Sequence, residues 1–516
     1  VHLVESAPRD QLQPKLKTID YLKPGDRVEQ ERVRLFDLQE RREVPTSDAL
    51  FSNQWSIEDM GWNEDGGAYR FLFNQRGHQH LRVLEMSTTG EVRAIVDESS
   101  PTFIDYSGKT YSHEVPGKSE LIWASERDGW NHLYLYDTKI GAVKNQITKG
   151  QWVMREVERV DDASRQIWFR AFGLVPGQDP YYAHLARINF DGSGLTVLTE
   201  GDGNHTWKWS PNRRFLLDTF SRVDAAPVTT LRDGATGRSI STLETGEIKP
   251  LLDAGWTLPE RFEAKGRDGQ TSIYGVIVRP SNFDATKKYP VIENIYAGPQ
   301  DFFVPKSFGT LNRFHELAEL GFIVVQIDGM GTNWRSRAFH DVAYKNLKDA
   351  GFPDRILWHK AAGATRPWMD LTRVGIYGGS AGGQNALGAL LFHGDFYKTA
   401  IADCGCHDNR MDKIWWNEQW MGWPVDKSYE DSSNVVHAKN LRGNLLLIVG
   451  ELDTNVDPAS TMQVVAELTK AGKDFDFLNV PGAGHGAGGS EYGRRRQSDF
   501  FVRHLLGVNP PSRNDS

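Results

Sequence analysis

Cysteine is nearly missing from this chain: only Cys404 and Cys406 occur among 516 residues. With one residue between them on an apparent strand end, a mutual disulfide would be strained. The pair matches no zinc-binding spacing. Two buried thiols beside a sheet edge are expected, and cysteine usage leaves the compartment open. Long apolar runs are also missing. No stretch approaches the roughly 20 residues needed to cross a bilayer as a helix, so no membrane segment is expected in this chain. Nor is there an excess of positive charge. The 60 Lys and Arg stand against 68 Asp and Glu, which implies no nucleic-acid partner. What remains is ordinary globular composition, long enough for two or more domains and a large core.

Residues 1 to about 255 read as all-β, with short aromatic and β-branched runs between Gly, Asp, Asn and Ser turns. The 16 Trp and 16 Tyr suit such a half. An internal repeat pairs Phe71-Leu72-Phe73 with His80 to Leu84, Leu121-Ile122-Trp123 with His132 to Tyr136, and Ile167-Trp168-Phe169 with His184 to Ile188. Phe215-Leu216-Leu217 and Val228 to Leu231 continue it. His80, His132 and His184 are spaced by a constant 52 residues, a period that suits one four-stranded propeller blade. About four blades are expected between residues 55 and 245. Residues 33–38 add the outer strand of a further, incomplete one. Equivalent positions in successive blades lie far apart, so each histidine is expected to support its own hairpin rather than share a metal.

From about Thr257 the pattern changes. Apolar strands at 272–278, 291–295, 322–327, 374–377, 399–402, 445–449 and 477–480 alternate with helical stretches at 314–319, 354–362, 384–392 and 459–471. This is the signature of a mostly parallel α/β sheet. Between one such strand and helix stands Tyr377-Gly378-Gly379-Ser380-Ala381-Gly382-Gly383. A G-x-S-x-G serine on a sharp strand-to-helix turn is thrust out of the sheet edge, and its flanks must be small.

A serine hydroxyl needs a base and an orienting carboxylate to become a nucleophile. The α/β-hydrolase order is Ser, Asp, His, each after a later strand. Here Asp453 follows the strand at 445–449 and His485 sits in a glycine-rich loop after 477–480. Asp457 is the rival acid, although it stands where it would cap the next helix. His407 and His504 are the rival bases. The Ala381 N–H is one oxyanion donor by geometry. The second is expected from the loop Tyr296-Ala297-Gly298-Pro299, whose tyrosine is by composition equally a packed aromatic.

These stretches resemble the prolyl oligopeptidase family of serine peptidases, and its dipeptidyl peptidase IV branch most closely. The matching residues are Tyr289 to Pro299, Asp328-Gly329-Met330-Gly331, Gly378-Gly379-Ser380, Gly450-Glu451-Leu452-Asp453-Thr454-Asn455-Val456 and Gly484-His485-Gly486, with Ser125 to Tyr136 in the β half. The resemblance implies an eight-bladed β-propeller covering an α/β-hydrolase active site and sieving substrates by size. It implies that the Tyr296 hydroxyl is the second oxyanion donor, that Asn455 binds a substrate carbonyl and that Val456 lines the pocket for the residue before the cut. It also implies peptide substrates, no cofactor, a homodimer, and a compartment that leans toward secreted or periplasmic.

Two departures stand out. The branch holds the substrate's amino terminus with paired glutamates in an early propeller segment, and no counterpart occurs here. Half the expected blades are also missing. The chain is therefore expected to start partway through a longer protein, the alternative being a shortened propeller. In the proline-accepting aromatic box, Asn409 replaces a Trp, Asp412 a Tyr and Trp416 a Tyr. A carboxylate is costly to bury unpaired in such a wall. Asp412 is expected either to pair with Lys413 or Arg410 outside the pocket or to meet a polar or cationic substrate group. The expected architecture is thus a partial propeller of four to five blades over 1–255, an α/β-hydrolase domain over 256–508 and a disordered tail over 509–516. The leading function is a serine peptidase acting on short peptides. The alternatives are an esterase on the same scaffold and a propeller binding protein with a vestigial site.

Overall fold

A computed structural model of the chain describes residues 1–514. Residues Asp515 and Ser516, the end of the expected tail, lie outside the described residues, and 509–514 carry no helix or strand. No helix among the described residues is long and apolar enough to cross a membrane.

Four successive four-stranded antiparallel sheets occupy the N-terminal half. The first runs from Gln54–Trp62 to Val92–Ser99, the second from Ser112–Glu114 to Ala142–Gln146, the third from Val153–Asp161 to Thr196–Val197, and the fourth from Asn204–Trp209 to Ser239–Thr245. The repeated sequence pairs are the middle hairpins of these sheets: Phe71 faces Leu84, Leu121 faces Tyr136, Ile167 faces Ile188 and Leu217 faces Leu231. A middle strand is hydrogen-bonded on both edges and packed on both faces, so its sequence is apolar and easily read. Outer strands are not. Ser239–Thr245 is exposed along its whole length, and Leu35–Asp37 pairs only with Arg42–Val44. Both ring nitrogens of His132 and of His184 are engaged close to their own sheets. His132 meets Thr148 Oγ1 at 3.0 Å and the Gly150 carbonyl at 2.9 Å, and His184 meets Thr199 Oγ1 at 3.2 Å and Gln178 Oε1 at 2.9 Å.

The C-terminal half is built on one eight-stranded sheet. Its strands are β1 (Glu260–Lys265), β2 (Ser272–Val278), β3 (Tyr289–Asn294), β4 (Ile323–Asp328), β5 (Met369–Gly379), β6 (Tyr397–Asp403), β7 (Asn444–Gly450) and β8 (Asp476–Val480), in the order β1-β2-β4-β3-β5-β6-β7-β8. The pairs β1–β2 and β2–β4 are antiparallel and the rest parallel. Successive side chains alternate between two buried faces. Val291, Ile323 and Leu447 enter one cluster with Leu387 and Val464, while Ile292, Val324 and Leu446 enter another with Leu317 and Phe501. Helices α1 (Asn312–Ala318), α2 (Phe352–Thr365), α3 (Ala381–Phe392), α4 (Ile414–Met421), α5 (Ala459–Lys470) and α6 (Glu491–Phe501) flank the sheet or its carboxyl edge. Strand β1 is not signalled by the sequence pattern. It is an edge strand with alternating charges, and such strands look like loops.

The two halves meet through buried polar pairs. Arg76, in the first sheet's turn, grips Glu418 of α4 with Nη2–Oε1 2.6 Å and Nε–Oε2 2.8 Å. Asp105 accepts from Asn333 at 2.7 Å and from Gln419 at 3.1 Å. The segment before the first sheet lies over α4: Tyr21 donates to Asp412 at 2.5 Å, and Lys23 pairs with Asp457 at 2.8 Å.

Candidate active site

Ser380 stands between β5 and α3 with φ 59° and ψ −125°. That left-handed backbone is costly for a residue with a Cβ and persists only where the surroundings impose it. The surroundings here are backbone. A Cβ on Gly378 would come within 2.5 Å of the Ile295 carbonyl, and one on Gly383 within 2.4 Å of the Asp403 carbonyl. Glycine at these positions lets α3 press against β5 and β6, and the turn throws Ser380 forward. Its Oγ makes no hydrogen bond among the described residues. Ala381, the first residue of α3, carries an N–H with no intrahelical acceptor.

The loop after β7 buries Asp453 completely. Its Oδ1 accepts the N–H of Asn455 at 2.8 Å and of Val456 at 2.9 Å, and its Oδ2 meets His485 Nδ1 at 2.7 Å. The carboxylate thus has a fixed orientation and holds the His485 ring from behind. His485 Nε2 lies 3.8 Å from Cys404 Sγ. Catalytic hydrogen bonds are often loose in unliganded enzymes and tighten with substrate. Burial pushes the Cys404 thiol up to about 12, so it stays protonated. Both cysteines are buried and free.

The rivals fall elsewhere. Asp457 accepts from the Ala459 N–H at 3.0 Å, at the start of α5. His407 is wholly enclosed, and burial alone depresses its pKa to about 3. His504 packs against Phe500 in the last helical turn, the two rings tilted by 57°.

A cavity of about 210 Å³ opens over Ser380. Tyr296, Gln300 and Ala381 line it together with Trp415 and Trp416 and with Cys406, Asp412, Lys413, Asn455 and Val456. The Tyr296 hydroxyl accepts only a long 3.3 Å bond from Gln300, leaving its proton available. Asp412 is fully engaged: beyond Tyr21 it accepts from Asn417 at 3.0 Å and pairs with Lys413 at 3.0 Å. Asn409 does not line the cavity. It is buried behind it in an amide chain, accepting from Gln384 at 2.8 Å and donating to Asn417 at 2.8 Å. A larger space of about 590 Å³ lies between the N-terminal sheets and β1–β2, beside Asp224 and Arg261, and holds none of these groups. Tyr21, Gln300, Trp415 and Asp403 are members of the site that the sequence pattern does not single out. Gln300 follows the Tyr296 loop closely enough to be inferred from it; Tyr21 is 391 residues from Asp412 and has no local signal.

Residues 308–507 match the prolyl oligopeptidase family model, and residues 1–227 match the dipeptidyl peptidase IV (DPP IV) N-terminal region. Each half of the chain is thus similar to one of these two models. The chain is 25% identical over 540 residues to dipeptidyl peptidase 8 of Homo sapiens, covering 92% of the chain and 59% of that protein. It is 27% identical over 371 residues to the probable dipeptidyl-aminopeptidase B of Arthroderma gypseum, covering 70% and 40% respectively. The chain therefore spans less than two thirds of the length of these curated relatives. Its fold is that of the Porphyromonas gingivalis dipeptidyl peptidase 4 crystal structure, at TM-score 0.82 and 23% identity, over 98% of this chain and 71% of the other. A putative dipeptidyl aminopeptidase IV from Bacteroides ovatus gives 0.82 at 21% identity, over 98% and 73%.

Proposed function

We propose that the chain is the catalytic part of a serine peptidase in which Ser380 is the nucleophile, His485 the base and Asp453 the orienting carboxylate. The observations that carry this reading are the 2.7 Å Asp453–His485 contact and a serine held in strained backbone at the head of a helix. Ser380 Oγ attacks the scissile carbonyl carbon and passes its proton to His485. The oxyanion is met by the Ala381 N–H and the Tyr296 hydroxyl. His485 then protonates the leaving amine, and a water, deprotonated by His485, hydrolyses the acyl-enzyme. The names of the relatives support peptide substrates over the esterase and binding-protein alternatives.

Residues 1–255 are read as a portion of a β-propeller, each four-stranded sheet being one blade, 256–508 as the hydrolase domain and 509–516 as a tail. Asn455 and Val456 are assigned to the substrate carbonyl and to the wall of the pocket. Trp416 supplies the apolar face, while Asp412, already neutralised, does not call for a cationic partner. Matched peptide amides are expected to turn over faster with a small neutral residue before the cut than with Lys or Arg there. The reverse order would assign Asp412 to the substrate instead.

A fluorophosphonate is expected to label Ser380, with the adduct mapped by peptide mass and lost in Ser380→Ala. Labelling that persists in the variant would remove the assignment. Tyr296→Phe is expected to lower kcat about a hundredfold with little change in KM, the usual cost of one oxyanion donor. An unchanged kcat would make Tyr296 a packing residue. Because the base must be neutral, kcat/KM is expected to rise with pH over about 5 to 8, where imidazoles lose their proton. A flat profile across that range would argue against His485.

A further inference from the structure

Strand β6 ends on a carboxylate that the reaction above does not use. Asp403 lies between the strand that delivers Ser380 and the strand that precedes Asp453, its backbone aligned with Gly379 on one side and Ile448 on the other. Its carbonyl accepts the Ser380 N–H at 2.9 Å. Its Oδ2 accepts the Gly488 N–H, three residues past His485, at 3.0 Å. A side chain on Gly488 would start 2.7 Å from that oxygen, so the turn is closed tightly on the carboxylate. Gln497 of α6 fixes the same turn from its far side through the Gly488 carbonyl, at 3.0 Å. The residue is 8% exposed, and Oδ1 has no partner at all.

A buried carboxylate with one hydrogen bond and an unpaired oxygen is poorly stabilised when ionised. The titratable groups that act on it or feel it are Cys404 from its own strand end, Asp453 from the loop after β7 and His485 from the loop after β8. Neither the thiol nor the second carboxylate can neutralise it. Imidazolium can, and in the proposed mechanism that cation forms as Ser380 gives up its proton. A charge unsatisfied in the resting enzyme and satisfied in the transition state contributes to rate rather than to binding.

We propose that Asp403 is a positioning residue of this active site: it ties the turn after His485 to the Ser380 elbow, and its carboxylate stabilises the imidazolium that develops on His485. The proposal rests on the Ser380–His485–Asp453 reading and extends it. Burial, opposed by the Gly488 N–H and by His485, pushes Asp403 up to about 6. The carboxylate is therefore ionised at pH 8 and protonated below about pH 5, where it resembles an asparagine.

The test is the pH dependence of kcat/KM on a short peptide amide for wild type and Asp403→Asn. At pH 8 the variant is expected to be about tenfold slower, and the ratio should fall toward one below pH 5. A ratio constant across pH would make Asp403 merely structural and overturn the proposal. The thermal midpoint separates loss of charge from misfolding. A carboxyl whose pKa is raised by folding stabilises the fold only while protonated and loses that contribution as pH rises through the folded value, so Asp403→Asn at pH 8 should melt no lower than wild type. If the variant does not fold, wild type alone decides: its acid limb should show two proton uptakes, and a limb described by one overturns the proposal. Fluorophosphonate labelling of Ser380, run in parallel, keeps the outcomes apart. Absent labelling in wild type defeats the triad reading, whereas labelling with a constant ratio defeats only the role of Asp403.

Discussion

Replacing Ser380 by alanine is expected to lower kcat on a peptide amide by about a millionfold, the loss found when a triad nucleophile is removed. The structure makes this a clean experiment. Alanine keeps the Cβ, so the backbone cost of φ 59° is the same in both proteins. The Ser380 Oγ has no hydrogen-bond partner among the described residues, so its removal orphans nothing. Thermal stability should therefore be unchanged while turnover vanishes. His485→Ala should cost nearly as much, and the double variant little more than either, because groups that act as a unit are strongly non-additive. Single-turnover kinetics on the two variants and their combination would decide. Losses that multiply would mean that the two residues act independently, and a Ser380→Ala variant within a hundredfold of wild type would mean that another group attacks.

The second large effect concerns stability. Arg76→Met or Glu418→Met is expected to destabilise the chain by about 3–5 kcal/mol, the cost of leaving one member of a buried ion pair uncompensated. Side-chain exposure is 7% for Arg76 and 0% for Glu418, and both oxygens of Glu418 are taken by the guanidinium. One of them also accepts the Gly25 N–H at 2.9 Å, and Arg76 lies 5.0 Å from the centre of the Trp423 ring. Either single change therefore strands a charge between the N-terminal sheets and α4. The double replacement should recover part of the loss, because the desolvation cost disappears along with the attraction. Denaturant midpoints for the four proteins of the cycle would test this. Single-variant losses below about 1 kcal/mol, the range of a solvent-exposed pair, would show that the contact is not buried in solution. Glu418 is next to Asn417, which holds Asp412, so the single variants should also lose kcat/KM.

Most of the proposed catalytic constellation is legible in the sequence. The glycines around Ser380 stand out within a single strand-turn-helix unit, although the carbonyls that demand them, of Ile295 and Asp403, come from neighbouring strands, and Asp453 and His485 follow strands whose apolar runs are conspicuous. The middle hairpins of the four N-terminal sheets are legible for a related reason: strands paired on both edges are apolar throughout. Strand β1 and the outer strands are not, because an edge facing water carries charge and loses the pattern. The motif position of Asn409 points to the pocket wall. The structure turns it away into an amide chain with Gln384 and Asn417.

The sequence by itself marked out the two-part architecture and the proposed nucleophile, base and acid, since each candidate stands within about one strand and the turn after it. The pairing of Asp412 with its neighbour Lys413 was open to sequence reasoning, but tertiary structure alone decided that Asp412 also accepts from Tyr21, 391 residues away. It alone brought Asp403 beneath the Ser380 elbow and against the His485 turn. Those facts depend on which side chains meet across the sheet's carboxyl edge and across the boundary between the two halves, and such meetings leave no local periodicity to read.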